Sequence, residues 1–109
     1  MGARHSLTIC SQFQTAAELL GKRWTALVVQ QLKDGARRYS DLSEKLDVVS
    51  ERMLVQRLKE LEGAGVVERR VYDEQPVRVE YRLTDKGRAL SRVIGSLERW
   101  ATEWIPTPT

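Results

Sequence analysis

The sequence predicts an α+β domain with a three-helix core, a two-stranded hairpin and one further helix at each end. Three observations carry that expectation. Two amphipathic helices, at residues 40–46 and from residue 50, are separated only by Asp47, Val48 and Val49. After Gly63 and Gly65 the hydrophobic spacing changes from a period of about 3.6 to a period of about 2. The chain then returns to helical spacing, with Leu90, Val93, Ile94, Leu97, Trp100, Ala101 and Trp104 on one stripe.

Taken in order, residues 1–9 are polar and aperiodic and read as a flexible leader. The folded domain is expected over residues 10–105, with a short tail at 106–109 after Pro106. In residues 13–20, Phe13, Ala16, Ala17 and Leu20 share a helical stripe that Gly21 ends. A second helix is expected over residues 22–34, with Trp24, Leu27, Val28 and Leu32 inside and Gly35 as its stop. Arg37 and Arg38 lead into Tyr39 as a very short strand, and Ser40 is placed to cap a helix that buries Leu42 and Leu46. Ser50 caps the next helix, SERMLVQRLKEL, whose Leu54, Leu58 and Leu61 face inward. Arg52, Gln56 and Lys59 then lie on the opposite side, with Met53 and Arg57 on a flank. Two short helices joined so tightly form a helix-turn-helix. Val67 and Val71, then Val79, Tyr81 and Leu83, alternate with charged residues around the polar turn DEQPV, which makes a hairpin. A hairpin in that place is the wing of a winged helix-turn-helix. Thr84 caps the last helix, with Asp85 at its positive end. Its apolar stripe exceeds what one small core covers, so both terminal helices are expected to dimerise.

Bulk properties narrow the function. A chain of 109 residues with 41% hydrophobic content supports one core. Eighteen basic against fifteen acidic residues suit a polyanionic partner. Residues 50–82 nevertheless hold seven of each sign, so any basic face must arise by sorting in three dimensions. No apolar run approaches the roughly 18 residues that span a bilayer, and a cytoplasmic protein is expected. Cys10 and His5 stand alone in their kinds, which excludes an internal disulfide and a multi-cysteine zinc site. Neither a metal, a cofactor nor a catalytic constellation is expected.

The sequence resembles the HxlR-type winged helix-turn-helix transcriptional regulators. The resemblance covers residues 10–104 and is carried by Cys10, LLGKRWT (19–25), RRYSDL (37–42), SERMLVQRLKELEGAGVVERR (50–70), VEYRLTDKG (79–87) and Trp100. Where the family often has a proline after the cysteine and two prolines before VEY, this chain has Ser11, and Pro76 followed by Val77. The resemblance implies a homodimer on a pseudo-palindromic operator, with the helix after the turn in the major groove and the wing near the minor groove. It also implies that Cys10 is a candidate redox or electrophile sensor, against which stands a small buried thiol.

For base contacts the candidates are Ser50, Arg52, Met53, Gln56 and Arg57. Arginine pairs with guanine, glutamine with adenine, and methionine can touch a thymine methyl. Arg37, Arg38, Lys59, Arg78 and Arg82 are candidates for phosphate contacts, with Arg78 best placed beside the turn. Trp24, Trp100 and Trp104 read as core or interface rather than as an effector pocket. A small-molecule effector is left open, and the alternative function is a winged-helix module for protein contact.

Overall fold

The computed structural model describes the backbone of residues 2–108 and the side chains of residues 11–108. Among them are five helices and three strands: α1 (Gly2–Gly21), α2 (Thr25–Gln31), β1 (Arg37–Arg38), α3 (Tyr39–Lys45), α4 (Glu51–Gly63), β2 (Val67–Tyr72), β3 (Arg78–Leu83) and α5 (Asp85–Trp104). The architecture is the expected α+β winged helix, and several boundaries differ from expectation. α1 begins inside the stretch read as a leader, because extending a helix adds one hydrogen bond per residue once a nucleus exists. Leu27 is 40% exposed whereas Val29 is fully buried, so the inner stripe of α2 is Thr25, Val28, Val29 and Leu32. α3 starts at Tyr39 with Arg38 at its N-cap and no capping side chain, one residue ahead of the Ser40 cap.

The core joins α2 through Val28, Val29 and Leu32 to Leu42, Leu46 and Val49 of the helix-turn-helix. Leu54, Leu58 and Leu61 of α4 close it against Val66, Val67, Tyr81, Leu83 and Ile94. The turn between α3 and α4 is short because Val49 N–H bonds the Leu46 carbonyl at 2.9 Å and Ser43 Oγ donates to Glu51 at 3.1 Å. Ser50 caps α4 as expected, accepting from Met53 N–H at 3.1 Å.

The sheet has the order β1-β3-β2, all antiparallel. Its register, Val67 opposite Leu83, Arg69 opposite Tyr81 and Val71 opposite Val79, puts these six residues on the face toward α4. Glu68, Arg70, Tyr72, Arg78, Glu80 and Arg82 take the other face.

The start of α5 is locked to the end of α4. Thr84 Oγ1 donates to the Gly65 carbonyl at 2.5 Å and accepts from Gly87 N–H at 3.1 Å. Gly87 lies so close to this junction that a Cβ there would overlap the Val66 carbonyl oxygen. That is why glycine stands one turn into a helix, where it otherwise costs about 1 kcal/mol. Farther along, Gln30 of α2 accepts from Ser91 at 2.8 Å and donates to Glu98 at 2.7 Å, joining α2 to α5. Of the apolar stripe on α5 only Ile94 is fully in the core, while Val93, Leu97, Trp100 and Trp104 are each more than half exposed.

Candidate nucleic-acid interface

The capped start and leucine stripe of α4 fix which of its residues look outward. Arg52, Gln56 and Lys59 are exposed on the side away from the core. Arg52 and Lys59 form no ion pair with another described residue. Met53 is half-buried and packs on the core with one edge outward. Ser50 spends its acceptor on the cap, leaving its hydroxyl proton to donate.

Arg57 occupies a different position from the other candidates. Its side chain is 14% exposed, its Nε donates to the Arg23 carbonyl at 2.8 Å, and its Nη1 pairs with Glu60 at 2.9 Å. It braces α4 against the turn between α1 and α2. That turn is unusual in holding Trp24 at φ 77°, a left-handed conformation that a bulky side chain rarely adopts. The Arg23 guanidinium covers the Trp24 ring at 4.5 Å, and Lys22 reaches Glu60 at 3.2 Å. Glu60 also accepts from the Gln56 amide at 3.2 Å. The Gln56 hydrogen bond, ahead of Lys22 and Arg57, holds the Glu60 carboxyl below the ordinary carboxylate range against the opposing effect of desolvation.

The wing redistributes the expected phosphate contacts. Arg78 is clasped between Glu74 at 3.1 Å and Glu80 at 3.2 Å, with its guanidinium 4.0 Å above the Tyr72 ring and its Nε buried without a partner. A cation so engaged braces the base of β3, two residues after Pro76, whose bond to Gln75 is cis. Arg82 and Arg70 share Glu68, at 3.7 and 2.7 Å, and Arg70 is the main reason that Glu68 titrates low. Arg37 donates to the Gln31 carbonyl at 2.6 Å and ties β1 to the end of α2. Arg38 is exposed and has no carboxylate partner among the described residues, beside a hollow of about 490 Å³ between the start of α3 and the wing tip.

One cation outside the expected set belongs with Arg38, Arg52 and Lys59. Arg69 is exposed, has no carboxylate partner among the described residues, and faces α4 from β2. With Lys59 it flanks a groove of about 460 Å³ whose floor is Val55, Val79 and Tyr81 and whose rim also carries Glu62. Burial and the nearby Glu51 push the Tyr39 phenol up, so it lines this groove as a neutral hydroxyl. In sequence Arg69 is one of two adjacent arginines, and only the strand register separates it from Arg70. The alternation Val67, Arg69, Val71 was the available signal. Carboxylates neutralise Arg57, Arg70, Arg78 and Arg82, leaving Arg52, Lys59 and Arg69 of this stretch, and Arg38 before it, without an ion pair among the described residues, as are the acidic Glu51, Glu62 and Asp73.

The side chain of Cys10 lies outside the described residues. Among the described residues, no helix is long and apolar enough to cross a membrane.

Known proteins with this arrangement point in one direction. The model of the HxlR-like helix-turn-helix family matches residues 19–109. The chain is 52% identical over 97 residues to an uncharacterized HTH-type transcriptional regulator, YvaP, of Bacillus subtilis, covering 89% of this chain and 90% of that protein. The reduced form of the transcriptional regulator YodB from B. subtilis superposes with a TM-score of 0.79 at 41% identity, covering 90% of this chain and 96% of that one. The redox regulator HypR in its oxidized form superposes with a TM-score of 0.80 at 28% identity, covering 88% and 99%.

Proposed function

The chain belongs to the HxlR-like helix-turn-helix family of transcriptional regulators, and from that premise we propose how it reads DNA and what controls it. It acts in the cytoplasm as a homodimer on a pseudo-palindromic operator, with α4 of each subunit in successive major grooves roughly 34 Å apart. The observation that carries this is the outer side of α4: Arg52 and Gln56 project from a rigidly capped helix, between a tight turn and a wing. Arg52 reads guanine, Gln56 reads adenine and Met53 meets a thymine methyl, while Ser50, Arg38, Lys59 and Arg69 hold the backbone. Arg57 and Arg78 contribute by bracing. Selection from a random duplex library at moderate salt tests it. A two-fold motif with half-sites about one helical turn apart is expected, and recovery of unselected sequence would refute the reading.

Control is assigned to Cys10. The support is the similarity to YodB, whose structure is described in a reduced form, and to the redox regulator HypR in an oxidized form. With one cysteine per chain, any disulfide must join two subunits or trap a small thiol, and an electrophile would add directly. DNA release on treatment with a quinone should be lost in Cys10→Ser. Equal release from both proteins would remove Cys10 from the mechanism.

A further inference from the structure

We propose that Glu60 is a positioning residue for base reading: its carboxylate sets the amide orientation of Gln56 and ties that amide to the turn between α1 and α2. The inference deepens the DNA-reading proposal and rests on it. Three side chains meet at this carboxylate. Gln56 Nε2 and Lys22 Nζ both reach Glu60 Oε2, at 3.2 Å each, Arg57 Nη1 reaches Oε1 at 2.9 Å, and Arg57 Nε continues to the Arg23 carbonyl at 2.8 Å.

The chemistry of the groups gives this cluster a direction. A glutamine amide has a donor end and an acceptor end, and it reads adenine only when the carbonyl meets N6–H and an N–H meets N7. An ionised carboxylate only accepts, so Glu60 can hold the NH₂ end of Gln56 and never the carbonyl. The flip of the amide is thereby chosen before DNA arrives. One N–H and the carbonyl oxygen are left for a base edge. A long, exposed glutamine otherwise loses rotamer freedom on binding, and here that loss is partly incurred on folding.

Electrostatics explains the two cations. A bare carboxylate on the DNA-facing helix would repel phosphates, and Lys22 with Arg57 offsets its charge. Lys22 comes from the turn after α1, so the same carboxylate that orients the base reader also senses where that turn lies. A displacement of α1 that withdraws Lys22 changes the charge and geometry at Oε2, and so changes the hold on Gln56. Sequence preference is altered by this route as well as affinity.

The test compares the full-length wild type, Gln56→Ala, Glu60→Gln and the double variant in selection from a random duplex library, with binding curves for the selected site. Gln56→Ala should flatten preference at one base pair per half-site by about fivefold or more. Glu60→Gln should flatten the same base pair and leave the other positions sharp, and the double variant should match Gln56→Ala alone. A Glu60→Gln protein that keeps the wild-type profile, or binds every sequence more weakly by a common factor, overturns the proposal and leaves Glu60 as a structural clasp. A Gln56→Ala profile equal to wild type overturns it too. If Glu60→Gln does not melt cooperatively, Glu60→Asp, which keeps the charge and withdraws it by one methylene, is judged by the same criteria. Failure of the wild type to select any sequence is a separate outcome that removes the DNA reading itself and this inference with it.

Discussion

Arg52 and Arg57 stand five positions apart on one helix and face opposite demands. Arg52 has solvent in front of it, and its replacement by alanine should cost about 1–3 kcal/mol of discrimination at a guanine, seen as relaxed preference at one position. Arg57 is held at both ends of its guanidinium, and Arg57→Ala should lower thermal stability before it changes any one base preference. The same distinction divides the candidates for phosphate contact. Lys59→Ala and Arg69→Ala should each reduce the slope of log affinity against log salt by about 0.9, one phosphate contact apiece. Arg78→Ala should leave that slope unchanged and loosen the wing, because Glu74 and Glu80 already neutralise it. Acid should undo the clasp at Glu60 in a defined direction. Its folded pKa is depressed, so its contribution to stability is complete above its ordinary 4.5 and is lost as pH falls through the folded value. Melting temperatures of wild type and Glu60→Gln, followed from neutral pH downward, should therefore converge below pH 4.5.

The elements were legible where a side-chain period and a cap agreed. Leu54, Leu58 and Leu61 with Ser50 specified α4, and Thr84 with Asp85 specified the start of α5. What escaped were features decided by partners distant in sequence. Leu27 and Val29 are both acceptable on the inner side of α2 by spacing, and the fold buries Val29 in the core while Leu27 lines a groove beside Ile94 and Leu97 of α5. Arg78 looked free because Tyr72 becomes its neighbour only through the strand register, while Glu80 reaches it as the next residue on the same face of β3. A glycine in the TDKG stretch likewise gave no sign that the Val66 carbonyl would sit against it. Gly87→Ala should destabilise the protein by about 1–3 kcal/mol or more, measured by denaturant unfolding, since the clash is with backbone that cannot rotate away. Leu58→Ala, at the centre of the core, should cost about 2–5 kcal/mol.

At the scale of the whole molecule the exposed aromatic side chains lie on α1 and α5, apart from the outer side of α4. Phe13 of α1 and Leu97, Trp100 and Trp104 of α5 are exposed by 75, 51, 55 and 66%. The proposed dimer would cover them. Leu97→Glu or Trp104→Glu should shift the assembly toward monomers in sedimentation, and weaken binding to a full two-fold site far more than to a half-site. The locked junction at Thr84, Gly87 and Val66 gives this separation a mechanical meaning. α5 is 20 residues long, about 30 Å, and it is anchored where the wing and the end of α4 meet. With such a lever, a tilt of about 6° displaces the far end by about 3 Å, close to the 3.4 Å step between base pairs. In the dimer proposed above, a slight change of angle between paired α5 helices would be geared up into about one base pair of misfit, and release of DNA would need no unfolding.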